Sequence, residues 1–205
     1  MDLAIEKILR EFEERSAAES ETMRQWDPAK MGRHLDEFLL SVGPATGQLI
    51  NLLAKEAKAQ TILEVGSSYG YSTVWLAEAA RKTGGKVISL ELHAAKQEHA
   101  RASVHDAGLG AFVDFRLGDA RDSLSKLNEP VDFVLLDLWK DLYISCFDLF
   151  YPKLRPGALI AADNMIFPES ARDHAEAYRK HVRIKPDIES VLLTVGSGIE
   201  LSRYR

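Results

Sequence analysis

Short, almost unbroken apolar runs alternate along this chain with longer stretches in which apolar residues recur every three or four positions. Ile5, Ile8, Leu9 and Phe12 fall on one helix face among Glu, Lys and Arg, which predicts an amphipathic helix from residue 2 to about 24. Its apolar stripe could pack on its own domain, cover an active site or join a second copy, and the pattern alone does not choose. Asp27 and Pro28 interrupt it; a short helix is expected over Met31–Leu40, a turn at Val42-Gly43-Pro44 and a helix over Ala45–Ala57. The stretch TILEVGSSYGYSTVWLA, Thr61–Ala77, then reads as a buried strand, a tight loop and a helix start, with Ser72 and Thr73 as N-cap residues.

Strand and helix keep alternating after that. KVISLEL ends a second strand at Glu91 and precedes a helix over about Ala94–Asp106. AFVDFRLGDA gives a third strand and a loop with Asp119, before a helix over Arg121–Leu127. VDFVLLD gives a fourth, ending at Asp137, followed by a helix over about Leu142–Leu154 and an Arg155-Pro156-Gly157 turn. ALIAADN is the fifth, ending in Asp163 and Asn164. Ser190–Val195 and Ile199–Tyr204, parted by Gly-Ser-Gly, predict a closing antiparallel hairpin. The class is therefore α/β, with a mostly parallel sheet covered on both faces.

In such a sheet the carboxyl ends of the strands share one edge, where ligands bind. Glu64, Glu91, Asp119, Asp137, Asp163 and Asn164 all stand at strand ends. A single acidic residue there is more often a turn former or cap, but five strands repeating the pattern strain that explanation. Glu91 follows the glycine loop by roughly twenty residues, the interval at which a carboxylate accepts from ribose hydroxyls. The loop reads E-x-G-x-x-x-G, not G-x-G-x-x-G, which disfavours a dinucleotide, and the Glu64 carboxylate would repel pyrophosphate but suit the amino group of an amino-acid-like cofactor. Asp137, Asp163 and Asn164 are hard oxygen donors suited to Mg2+ or another small divalent cation. Lys140, three residues past Asp137, can reach the same place; beside a cation its pKa falls and its neutral amine can act as a base.

Composition narrows the partners. The 205 residues suit one domain, and a net charge of -5 gives no general basic surface for nucleic acid, so a small molecule is the expected ligand. A lone cysteine, Cys146, excludes an internal disulfide and a cysteine-based zinc site. The charged start and the absence of a bilayer-length apolar run lead to an expectation of no membrane contact and a cytoplasmic location.

Over roughly Val42–Asn164 the chain resembles the metal-dependent class I S-adenosylmethionine O-methyltransferases, the group of catechol and caffeoyl-CoA enzymes, most specifically in ILEVGSSYGYS, LLDLWKDLY and AADN. The resemblance implies a Rossmann-like fold with a seven-stranded sheet, one methyltransferase domain over 1–205 and an N-terminal helical cap over about 1–40. It also implies S-adenosylmethionine and Mg2+ as cofactors, a small catechol-like or phenylpropanoid-like hydroxyl acceptor, Lys140 as catalytic base, and Asp137, Asp163 and Asn164 as metal ligands. On the cofactor side it places Val42, Glu64, Gly66, Tyr69, Ser72, Glu91, Asp119, Ala120, Asp137 and Trp139. Many bacterial relatives are dimers, and the N-terminal stripe leaves a homodimer open. The chain departs from the catechol enzyme at Leu138, where that enzyme has histidine, and at Thr46, where it has lysine. Glu189 is no clear substitute for its substrate-side acidic residue. A nicotinamide-dependent oxidoreductase and a non-catalytic cofactor-binding protein stand as alternatives.

Overall fold

A computed structural model describes residues 1–27 and 34–205. Of the short helix expected over Met31–Leu40, residues 31–33 lie outside the described residues, as does Pro28; His34 is helical and a 3-10 turn over Leu35–Glu37 follows it. Seven strands form one sheet: β1 (Thr61–Val65), β2 (Lys86–Glu91), β3 (Val113–Leu117), β4 (Val131–Leu136), β5 (Leu154–Ala162), β6 (Ile188–Leu193) and β7 (Ile199–Tyr204). Their order is β3-β2-β1-β4-β5-β7-β6. β1 to β5 are parallel, and β7 inserts antiparallel between β5 and β6. The order reverses between β1 and β4, the place where open α/β sheets leave a crevice for ligands.

Both faces are covered. On one side α1 (Leu3–Gln25), α2 (Gly43–Glu56), α3 (Tyr71–Thr83) and α4 (Ala94–Asp106) join Ile62, Phe133, Leu135 and Ala161 in a core. On the other, α5 (Ala120–Ser125), α6 (Tyr143–Phe150) and α7 (Arg172–Arg183) enclose Leu63, Val65, Val134 and Leu136. Burying each large apolar side chain of these layers stabilises by about 1.5–3 kcal/mol, which makes the sheet the rigid floor of whatever its edge does.

Ile5, Ile8, Leu9 and Phe12 are buried against α3 and α4, and Glu13 accepts from the Tyr71 hydroxyl at 2.9 Å. The stripe is therefore satisfied within the chain, and the homodimer loses the support it drew from it. No helix among the described residues is long and apolar enough to cross a membrane.

Three local expectations are corrected. The cap of α3 is Gly70, at φ 102, and not Ser72 or Thr73, whose hydroxyls are occupied elsewhere. Arg155-Pro156-Gly157 lies inside β5, not in a turn before it: Val131 pairs with Leu154 but Phe133 with Leu159, so the extra residues bulge where Pro156 has no N–H to give the ladder. Finally, α7 was not expected at all; Ala175, Tyr178 and Val182 form a buried stripe among nine mostly charged positions.

Candidate active site

Polar groups from five parallel strands meet at the carboxyl edge, in two clusters. The first surrounds the glycine loop. Gly66 has φ 94, and a Cβ there would overlap the Asp137 carbonyl and press on Leu138; Gly70 would strike Ala100 of α4. Both glycines are thus required by the chain's own close packing, whatever lies against the loop. Glu64 reaches this edge but turns inward. It is fully buried, accepting from Ser72 Oγ at 2.6 Å, Thr73 Oγ1 at 2.7 Å and Ser89 Oγ at 2.6 Å. Loss of hydration outweighs those bonds and raises its pKa to about 7. Ser89 stands directly beside it in the β1–β2 register, a pairing that only the sheet reveals.

Glu91 accepts from the Ser68 amide at 2.8 Å and the His93 amide at 2.9 Å, so each oxygen is fixed by one backbone N–H and keeps a lone pair for a further donor. Asp119 caps α5 and is gripped by Arg121, which holds its carboxyl down at about 2. Ala120 follows it as the first residue of α5. Val42, buried, is the residue before α2. The segment ahead of it is strapped to the loop: Ser68 donates to the Leu39 carbonyl at 3.0 Å, Tyr69 to the Glu37 carbonyl at 3.0 Å, and Glu19 accepts from the Leu39 amide at 2.6 Å. The Tyr69 ring lies under the Arg15 guanidinium, 3.9 Å from its carbon, and so leans towards α1.

The second cluster lies at the ends of β4 and β5. Asp163 is 2 % exposed, and its Oδ1 has no hydrogen-bond partner. Burial, and then the charge of Asp137, raise its pKa to about 7; burial also raises Asp137, opposed by Lys140. Asn164 follows at φ 55, a left-handed conformation that a side chain adopts only at a cost. Lys140 Nζ lies 3.5 Å from Asp137 Oδ1, 3.0 Å from the Leu138 carbonyl and 2.6 Å from the Tyr143 hydroxyl, and burial lowers its pKa. Among the described residues no three His, Cys, Asp or Glu side chains gather as a metal site, so a cation here would rest on two carboxylates and an amide. Two mutually repelling carboxylates, Asp137 part-buried and Asp163 buried with an unbonded oxygen, fit a small hard cation.

Trp139, Leu92, Leu117, Ile166 and Phe167 expose apolar side chains along this edge, in keeping with flat or aromatic ligand parts. The backbone of the loop after β5 is held by the β6–β7 turn: Met165 donates to the Gly198 carbonyl, and Ile166 and Phe167 both donate to that of Ser197. Glu189 is paired instead with Arg205, on the edge strand. Thr46 is fully buried, its hydroxyl without a partner. A cavity of about 630 Å3 lies at the opposite, amino edge, lined by Lys55, Lys58, Gln60, Lys82 and Thr83. Its lysines sit at the last turns of α2 and α3, where cations offset free carbonyls, which accounts for them without a ligand. Tyr143 went unnoticed in the sequence, although its spacing of three from Lys140 and six from Asp137 was visible there.

Known proteins are similar to this chain in sequence and in fold. The family model for O-methyltransferases matches residues 13–205. A catechol O-methyltransferase of Niastella koreensis is 39% identical over 131 residues, 62% of this chain and 59% of that protein, so the chain spans under two thirds of that relative. A caffeoyl-CoA O-methyltransferase of Petroselinum crispum is 30% identical over 186 residues, 80% of this chain and 77% of that protein. The crystal structure of a Bacillus cereus O-methyltransferase with S-adenosylhomocysteine superposes at a TM-score of 0.76 and 27% identity, covering 100% of this chain and 92% of the other. A seven-stranded sheet of this order and a match over nearly the whole length leave one conclusion: the chain belongs to the O-methyltransferase family and has its Rossmann-like fold.

Proposed function

We propose that this protein transfers the methyl group of S-adenosylmethionine to a hydroxyl of a small catechol-like or phenylpropanoid-like acceptor, with Lys140 as general base. One observation carries it: a part-buried lysine amine beside Asp137 at the same sheet edge as the unbonded oxygen of Asp163. Residues 1–205 act as one unit in this proposal, with about 1–40 as a cap.

Bound S-adenosylmethionine supplies an electrophilic sulfonium methyl, and a divalent cation supplies positive charge that makes an acceptor hydroxyl easier to deprotonate. Asp137 and Asp163 would hold that cation through carboxylate oxygens and Asn164 through its amide oxygen. Lys140, its pKa lowered by burial, takes the hydroxyl proton at Nζ. Glu91 offers its free lone pairs to ribose hydroxyls, and Val42, Gly66, Tyr69, Ser72, Asp119, Ala120 and Trp139 border the cofactor. Glu64 acts from behind, locking the first turn of α3 to β1 and β2 through three hydroxyls. No covalent enzyme intermediate is needed; orientation of two reactants supplies much of the rate, up to roughly 7–11 kcal/mol in ideal cases.

The test is S-adenosylhomocysteine production from S-adenosylmethionine over a panel of catechols and phenylpropanoids, with Mg2+ and with EDTA. Metal-dependent product is expected. Equal rates in EDTA would reject the cation, and absence of product with cofactor bound would reject the acceptor class or leave a non-catalytic binding protein.

A further inference from the structure

Tyr143 opens α6, is fully buried, and has its hydroxyl oxygen 2.6 Å from Lys140 Nζ, 2.9 Å from the Leu136 carbonyl and 3.2 Å from the Asp163 carbonyl. A phenol has one hydrogen to give and two lone pairs to accept with. Carbonyls cannot donate, so the hydrogen goes to Leu136 or Asp163, and the oxygen is left to accept from Lys140. With an ordinary pKa of about 10, the group is a phenol near neutral pH. The second acceptor at Lys140 Nζ is the Leu138 carbonyl, at 3.0 Å. A neutral amine has two N–H groups and one lone pair; with both N–H groups taken by Tyr143 and Leu138, the lone pair falls on the corner facing Asp137.

We propose that Tyr143 is a positioning residue for Lys140. With the Leu138 carbonyl it engages both hydrogens of the neutral amine and turns the lone pair towards the acceptor. Through the Leu136 and Asp163 carbonyls it ties that orientation to the strand ends that carry Asp137 and Asp163. The role rests on Lys140 being the base.

The experiment is a double-mutant cycle in the full chain: Tyr143→Phe, Lys140→Met and the pair, assayed with S-adenosylmethionine, Mg2+ and 3,4-dihydroxybenzoate. Tyr143→Phe should lower kcat about tenfold with both KM values within about twofold, since one hydrogen bond and its alignment are lost. In the Lys140→Met background the same change should have no further effect. An equal loss in both backgrounds would make Tyr143 merely structural and overturn the proposal. Wild-type kcat in Tyr143→Phe, with Lys140→Met slow, would also overturn it while leaving Lys140 as base; a fast Lys140→Met would remove the base and the positioning role together. A second measurement needs neither an acceptor nor a folded Tyr143→Phe variant. In 15N-lysine NMR of the wild type, the Lys140 Nζ signal, identified by its loss in Lys140→Met, should exchange its hydrogens with water more slowly than the exposed lysines. Exchange as fast as theirs would refute the clamp even if Tyr143→Phe does not fold or dihydroxybenzoate is not turned over.

Discussion

Glu64→Gln should change how stability responds to pH far more than it changes stability itself. The Glu64 carboxyl is fully buried, and its pKa rises from 4.5 to about 7 although three hydroxyls bond to it. Between those two values the native chain binds more protons at this site than the unfolded chain. Stability from this group is therefore highest below pH 4.5, falls as pH rises through the window, and is constant above about 7. The rise corresponds to about 3 kcal/mol. Glutamine has the same shape; its carbonyl can accept from two of the hydroxyls, and its amide can donate to the third after that hydroxyl turns. It carries no charge, so its contribution has no slope. Urea titrations followed by tryptophan fluorescence, from pH 4.5 to 8, should show the wild type losing about 3 kcal/mol relative to Glu64→Gln as pH rises. Asp137 and Asp163 titrate nearby in both proteins and largely cancel in the difference. Parallel curves would show that Glu64 is ionised in the native state across the whole range, and the account of its burial would be wrong.

Other perturbations address the rest of the edge. Asp137→Asn should weaken Mg2+ binding at least about tenfold by calorimetry, since a coordinating charge is lost; unchanged affinity would move the cation elsewhere. Glu19→Ala leaves the buried Leu39 amide without its charged acceptor and should cost about 1.5–3 kcal/mol in urea unfolding; an unchanged midpoint would show that this bond does not hold the segment. Gly198→Ala, at φ 90, would drive a Cβ into Ile166. It should raise the acceptor KM several-fold while S-adenosylmethionine affinity holds, and a matching loss of cofactor affinity would count against a separate acceptor side.

The apolar strands were legible because burial on both faces leaves little room for polar residues: across Ile62–Val65, Val87–Leu90 and Phe133–Leu136 only Glu64 and Ser89 break the apolar run. The strand-end carboxylates followed from the alternation alone. The helix α7 did not, because ion pairs from Arg179 and Arg183 to Glu200 help hold it to β7, and a charged face of that kind reads in one dimension as a solvated loop. Ser72 and Thr73 looked like caps because hydroxyls near a helix start usually are; their true partner, Glu64, is a strand away. The direction of the Glu64 carboxylate, the Ser89 contact and the Tyr143 clamp depend on strand register and loop closure, which no local pattern encodes.

The hydrogen bonds between the β6–β7 turn and the loop after β5 run entirely through backbone groups: three amides of residues 165–167 meet the carbonyls of Ser197 and Gly198. The Ile166 side chain also packs against Gly198, whereas that of Phe167, 65% exposed, takes no part in those bonds. The identity of residue 167 can therefore drift without loosening the scaffold that carries it. For a laboratory seeking new acceptors, the Phe167 codon is the place to randomise first, because the library would sample chemistry while the loop keeps its shape.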